Sequence, residues 1–185
     1  MTPAAPAPAH VLTLNGGSSS IKFAVFACAG AATRTVHGSI AGIGRNQGAF
    51  TVAGSELADA LVRTLAIPDH QEAVRLMVDW ITERFAGSGL STVGHRVVHG
   101  GPSFWEPQRI TAALVDELRQ LSPVDPEHLP EEFRLIEAIQ RRFPDLPQVA
   151  CFDTAFHHDL PRVARALPIP RRYQAQGLRR RRILS

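Results

Sequence analysis

The stretch Asn15 to Lys22, NGGSSSIK, constrains this chain more than any other. Val11 to Leu14 precede it as a short apolar run, and Ile21, Phe23 and Val25 alternate with other residues after it. Alternation with a period of two on the far side of a Gly/Ser cluster predicts strand, turn, strand: a β-hairpin. The turn is rich in backbone N–H groups and hydroxyls, glycine lets a ligand approach the backbone closely, and Lys22 adds a compensating charge, so it can hold a phosphate. It is not a Walker A loop, because no Gly-Lys-Ser/Thr follows and a strand stands where that loop needs a helix. An ordinary hairpin explains the same residues, since Asn-Gly is a favoured hairpin turn.

Further strand-like stretches at Thr33 to Ile40 and Ala49 to Ala53 extend the opening to a meander of about four strands. Asp69 follows Pro68 as a helix N-cap, and Ala73, Val74, Met77, Val78, Ile81 and Phe85 recur at helical spacing until Gly87. Thr92 to His99 reads as a strand running into Gly100-Gly101-Pro102. Two helices come next, from Thr111 to Leu121 and from Pro130 to Phe143, and Gln148 to Phe152 is a compact buried strand. Strands first, then alternating helices and strands, predict an α/β or α+β domain. The Asn15 turn, Gly94 to Gly101 and Asp153 to His158 are then candidate edges of one cleft. No internal repeat of solenoid length is present.

A hydrophobic content of 44% over 185 residues is enough for one substantial core. Lys and Arg outnumber Asp and Glu by 20 to 17, but four of those cations form the run Arg179 to Arg182, so the basic balance is weak evidence for nucleic acid and none is expected as a partner. Cys28 and Cys151 sit in apolar strand-like contexts, which predicts buried free thiols in a reducing compartment, and hence a cytoplasmic protein. No apolar run reaches the ~18 residues of a membrane helix, so no membrane partner is expected. Met1 to His10 reads as a loose Ala/Pro-rich extension without a leader pattern.

Two other segments carry candidate chemistry. GHRVVHGG, Gly94 to Gly101, presents Arg96, whose planar fork binds a carboxylate or phosphate through two parallel hydrogen bonds. His95 and His99 are four apart, but extended backbone and the lack of a companion ligand favour structural histidines over a metal pair. FDTAFHH, Phe152 to His158, puts Asp153 directly after a strand, where α/β proteins often reach a ligand. Asp153 can orient a nucleophile, accept a proton or hold a metal-bound water, and a helix N-cap accounts for a lone Asp as well.

Together and in this order, the three segments resemble the acetate kinase family, within the superfamily of acetate and sugar kinases, heat-shock ATPases and actin. NGGSSSIK is similar to its Asn-x-Gly-Ser-Ser-Ser-x-Lys signature, GHRVVHGG matches its second signature nearly letter for letter, and FDTAFH before Leu160-Pro161 resembles its third. The resemblance runs from about Val11 to Arg180. It implies an actin-like (ribonuclease H-like) ATPase domain over residues 11–177, with a mixed sheet, opening antiparallel strands and flanking helices. It also implies transfer of the γ-phosphoryl of ATP to acetate or a related short-chain carboxylate, with magnesium. By matching position, Asn15 would place the metal and Lys22 would contact nucleotide phosphates. Ser18 and Ser20 would line the phosphate turn, Arg96 would bind the substrate carboxylate, and Asp153 would be the catalytic or orienting acid. A carboxylate nucleophile is already ionised at neutral pH, so Asp153 has more reason to organise a metal or its water than to remove a proton.

Two departures qualify the resemblance. Where the family has a Leu-His-Asn-Pro segment, this chain has Ser122-Pro123-Val124-Asp125-Pro126-Glu127-His128, with Asp125 at the expected histidine and His128 three residues later. An anion there repels phosphate unless a metal or arginine offsets it, which bears on substrate choice. After Gly177-Leu178-Arg179-Arg180 the family continues into a Tyr-Gly-Phe-His-Gly segment and a second domain, whereas this sequence reads Arg181-Arg182-Ile183-Leu184-Ser185. The expectation is a truncated amino-terminal half with an aberrant basic tail over 178–185, little or no kinase activity alone, and a family-like homodimer only if the missing half is not needed for it. The alternative function is a non-catalytic half-kinase module that binds phosphate, carboxylate or a partner chain.

Overall fold

The computed structural model describes residues 9–54, 60–85, 89–101, 103–121, 129–157 and 161. The opening meander has five strands: β1 (Ala9–Gly16), β2 (Ser20–Ala29), β3 (Ala31–Ala41), β4 (Arg45–Gly54) and β5 (Leu61–Ile67). Helix α1 (His70–Phe85) leads to β6 (Leu90–Val97) and the two-residue β7 (Gln108–Arg109). Helices α2 (Ala112–Arg119) and α3 (Leu129–Arg142) precede β8 (Gln148–Phe152), and a short 3-10 helix, Asp153–His157, follows it. All eight strands form one mixed sheet in the order β5-β4-β3-β2-β1-β6-β8-β7. β6 runs parallel to both β1 and β8, and the other pairs are antiparallel.

The predicted hairpin is present, with Asn15 opposite Lys22 and Gly16 opposite Ile21. β5 escaped the sequence reading because it is an edge strand whose alternation is blurred by Arg63 and Thr64. Edge strands commonly carry charge, which deters pairing with other chains. β7 is too short to leave a periodic signal. β1 starts at Ala9, so residues 9 and 10 belong to the sheet, where the His10 N–H donates to the Gly89 carbonyl at 3.1 Å.

Both helix starts that the sequence marked by a cap have it. The Glu72 N–H donates to Asp69 Oδ1 at 2.8 Å and the Leu114 N–H to Thr111 Oγ1 at 3.2 Å, each satisfying an amide that the first helical turn leaves free. The apolar stripe Ala73, Val74, Met77, Val78 and Ile81 buries α1 against Leu12, Leu14, Ile21, Phe23 and Val25 from one face of the sheet and Leu135 and Ile139 from α3. A second cluster joins Val97, Ala150 and Phe152 to Leu114, Leu118, Leu129, Phe133 and Ile136. At about 1.5–3 kcal/mol for each fully buried large apolar side chain, these clusters fix which side of every strand faces the helices.

The opposite sheet face carries Thr13, Asn15, Lys22, Ala24, His37, Ser39, Thr51, Val62, Gly94, Arg96 and Cys151. Together they line a shallow groove of about 780 Å3. None of the described helices sends its buried residues to this side. The expectation of two buried thiols is therefore corrected. Both cysteines are free, but Cys151 is exposed and Cys28 only half-buried. In β8 Gln148, Ala150 and Phe152 take the helix side, so strand alternation turns Cys151 outward.

Candidate active site

Three adjacent parallel strands deliver the candidate residues to one place. Asn15 lies near the carboxyl end of β1, Arg96 near that of β6, and Asp153 follows the last residue of β8. The register pairs Leu14 with His95 and Arg96 with Cys151, so Asn15 and Arg96 sit level across the sheet while Asp153 lies two residues further along, just past the end of β8. Ligands of α/β sheets commonly bind at the carboxyl ends of their parallel strands.

Arg96 is the hub of the cluster. Its Nε donates to Asp153 Oδ2 at 2.7 Å, Nη2 donates to the same oxygen, and Nη1 donates to Asn15 Oδ1 at 3.1 Å. Residues 81 and 57 positions apart in sequence are thereby joined through one guanidinium. The hydrogen bond to Asp153 raises the pKa of Arg96 above its ordinary value against partial desolvation, and the nearby Glu132 carboxylate works in the same direction. Lys22 lines the same groove, on the strand next to Asn15. Ser18 stands on the connecting turn and Ser20 opens β2, and neither is among the groove's lining residues; Ser18 is exposed and Ser20 half-buried.

The glycines at this place are not required by the chain's own geometry. Neither Gly16 nor Gly17 has a positive φ. A Cβ on Gly17 would meet only the Ser20 carbonyl oxygen at 3.4 Å, and one on Gly94, beside Arg96, would meet nothing within 4 Å. Glycine weakens a strand interior, and the space beside Arg96 is open among the described residues. Gly100 is the opposite case: a Cβ there would lie 2.1 Å from the Phe104 carbonyl oxygen, so the loop after β6 closes only with glycine.

Two residues that the sequence reading did not single out hold the backbone that follows Arg96. The buried Glu132 accepts the Val98 N–H through both carboxylate oxygens, at 3.1 and 3.3 Å. Thr154 Oγ1 accepts the Gly100 N–H at 3.2 Å. The signal for Glu132 was available, since it is a carboxylate at a core position of α3 between Leu129 and Ile136. His95 and His99 are structural, as the sequence favoured. His95 Nε2 lies 2.7 Å from Gln148 Oε1, and burial pushes its pKa down to about 4. His99 Nδ1 accepts the Gly101 N–H at 2.8 Å. No cluster of three or more metal-ligating His, Cys, Asp or Glu occurs among the described residues. The Asn15 amide oxygen and Asp153 carboxylate are nevertheless hard oxygen donors of the kind that suits magnesium, which usually keeps waters and substrate phosphates as its other ligands. Asp125, His128, His158 and the run Arg179 to Arg182 lie outside the described residues.

A mixed sheet opening on antiparallel strands, with flanking helices and an oxygen- and cation-rich cluster where its strands end, defines the chain as an α/β domain of the actin-like ATPase class. Residues 10–183 match the sequence profile of the Acetokinase family, and the chain belongs to that family. It is 41% identical over 177 residues to an acetate kinase of Rhodopseudomonas palustris and 37% identical over 173 residues to one of Rhizobium meliloti. Each match covers 92% of this chain and 44% of the relative, so the chain spans less than half the length of these relatives. Its fold is similar to that of a propionate kinase from Francisella tularensis (TM-score 0.79, 29% identity, covering 92% of this chain and 44% of that one). It is also similar to the acetate kinase of Porphyromonas gingivalis (TM-score 0.77, 26% identity, covering 93% and 44%).

Proposed function

We propose that these residues are the carboxylate- and phosphate-binding side of an acetate kinase-type phosphotransferase, which passes the γ-phosphoryl of ATP to acetate or a related short-chain carboxylate and yields an acyl phosphate and ADP. The observation that carries this reading is the Arg96 hub, which joins Asn15 and Asp153 at the open mouth of the groove. Phosphoryl transfer to a carboxylate brings two anions together, so the protein must neutralise charge and hold the reactants in line more than it must form bonds of its own. Arg96 supplies a planar cation for a carboxylate. Lys22 supplies a second positive charge across the hairpin, for nucleotide phosphates, and the turn amides with Ser18 and Ser20 cap phosphoryl oxygens.

Asn15 and Asp153 would hold magnesium, which supplies charge neutralisation on the phosphate oxygens. The acceptor carboxylate is ionised at neutral pH, so Asp153 has no proton to remove and acts by orientation. ATP is thus the co-substrate, and a cytoplasmic setting, where ATP and short-chain acids meet, fits the reading. No helix among the described residues is long and apolar enough to cross a membrane.

The test separates binding from turnover. The polypeptide of residues 1–185, purified, should shift its backbone amides around Arg96 on addition of acetate, and Arg96→Lys should abolish the shift. It should form no acyl phosphate from ATP and acetate in a hydroxamate assay. Undiminished acetate binding by Arg96→Ala would overturn the role given to Arg96, and turnover would overturn the division of labour. The second reading, a non-catalytic half-kinase module, is favoured by one observation: the groove face stays uncovered by the described helices, with Val62 81% exposed on it. A chain that binds phosphate and acetate tightly and never turns over, even when a relative's second half is supplied, would decide for that reading.

A further inference from the structure

We infer that His70 is a positioning residue for the phosphate turn, clamping it from behind through a carboxylate-anchored imidazole. The inference rests on reading that turn as an anion site. His70 is the first residue of α1, and its Nε2 lies 2.9 Å from the Gly17 carbonyl oxygen, 53 positions away in sequence. A carbonyl only accepts, so Nε2 carries the hydrogen and donates it. On the other side of the ring, Nδ1 lies 3.4 Å from Glu131 Oε2, in the first turn of α3. His70 and Glu131 side chains are 17% and 18% exposed.

Glu131 is held in turn by Arg134, which donates to its other oxygen. Oε2 is buried with no hydrogen-bond partner, so it faces the imidazole without an alternative. The contact is at ion-pair distance, and Nδ1 donates across it only when both ring nitrogens carry a hydrogen. The chain through Gly17, His70, Glu131 and Arg134 therefore ties the turn to the starts of both helices that pack beneath it.

The turn has little else to fix it. The Gly17 N–H donates to the Ser20 carbonyl at 2.8 Å and the Ile43 N–H to the Ser19 carbonyl at 3.2 Å, while Ser18 and Ser19 are exposed. Its glycines carry no positive φ that would lock a turn type. A donor fixed on the Gly17 carbonyl orients the peptide planes on either side of it. Those planes carry the N–H groups an anion would meet, and preorganised donors bind a charge without the cost of ordering at the moment of contact.

The experiment titrates inorganic phosphate into the 15N-labelled chain, following the turn amides, for the wild type, His70→Ala, His70→Gln and Glu131→Gln. In parallel, amide hydrogen exchange compares the turn with α1. Loss of one oriented hydrogen bond should weaken phosphate binding about tenfold in His70→Ala and accelerate exchange at Gly17 to Ser20 while the middle of α1 is unchanged. His70→Gln, whose amide can still reach the carbonyl, should recover most of the affinity, and Glu131→Gln should fall between. If His70→Ala does not fold, the Gln and Glu131→Gln variants carry the test.

Equal phosphate affinity across the set would overturn the inference and leave the kinase reading standing, as would faster exchange throughout α1 with affinity unchanged. A wild-type chain whose turn amides ignore phosphate would overturn the reading of the turn itself, and the role of His70 with it.

Discussion

Replacing His95 with glutamine should flatten the acid limb of the protein's stability. His95 is only 2% exposed on the helix side of β6, and its partner Gln148 is fixed by donating its own Nε2 to Gln140 Oε1 at 2.9 Å. Gln148 therefore presents its oxygen to His95, which suits the Nε2–H form of a neutral ring. Burial lowers the pKa from 6.5 to about 4, and the hydrogen bond to Gln148 offsets only part of that. Because the folded-state value is depressed for a group that charges by gaining a proton, the unfolded chain binds the proton more tightly. The stability supplied by neutral His95 is complete above about pH 6.5 and is lost as pH falls toward 4.

At about 1.4 kcal/mol per unit, the whole shift corresponds to about 3 kcal/mol, of which about 2 kcal/mol is gone by pH 5. Urea unfolding at pH 7.5, 6.5, 5.5 and 5.0 measures it. The wild type should lose about 2 kcal/mol more over that range than His95→Gln, whatever the variant's offset at neutral pH. Parallel curves would refute the reasoning, because they would mean that the buried ring is protonated in the fold or reached by water.

Gly94→Ala should raise stability by about 0.5 kcal/mol, since a Cβ there meets nothing, and should weaken acetate binding by filling open space beside Arg96 that the ligand would take; thermal melts and acetate titration test the two effects together. Thr111→Ala should cost about 1 kcal/mol by uncapping α2, read as a fall in the urea midpoint with unchanged slope. Leu118→Ala, fully buried in the second core cluster, should cost about 2–5 kcal/mol. Arg96→Ala should change stability by less than about 1 kcal/mol, because the side chain is 41% exposed and its ion pair is accordingly screened.

Much of this architecture was legible because it is periodic or capped. The Asn15 hairpin, the Asp69 and Thr111 caps and the run Gln148 to Phe152 carry local signals that survive folding unchanged. The elements that escaped take their reasons from elsewhere. β5 pairs along β4 with Arg63 and Val62 in place of clean alternation, and β7 exists only because β8 offers it an edge. At the site, residue type nominated Asn15, Arg96 and Asp153, but their meeting depends on the β1–β6–β8 register, which no local pattern encodes. Glu132, Thr154 and His70 act on backbone groups brought close only by the fold, and their one local trace was a carboxylate among the apolar positions of α3. Cys151 misled because a five-residue apolar strand looks buried on both sides, whereas its outward face here meets the open groove.

The Arg96 hub has a kinetic consequence. Its hydrogen bonds span 81 and 57 positions, and they form only once β1, β6 and β8 lie side by side in parallel. The hairpins between β1 and β5 close through neighbouring residues, whereas those parallel pairings must first enclose α1, then α2 and α3, and long loops are the slow step of chain closure. Strand and helix signals should therefore return early in refolding, and affinity for small anions late. A slip of one residue along β6 would also turn Arg96 into the apolar core, so the alternation that builds the interior proofreads the charge that faces outward.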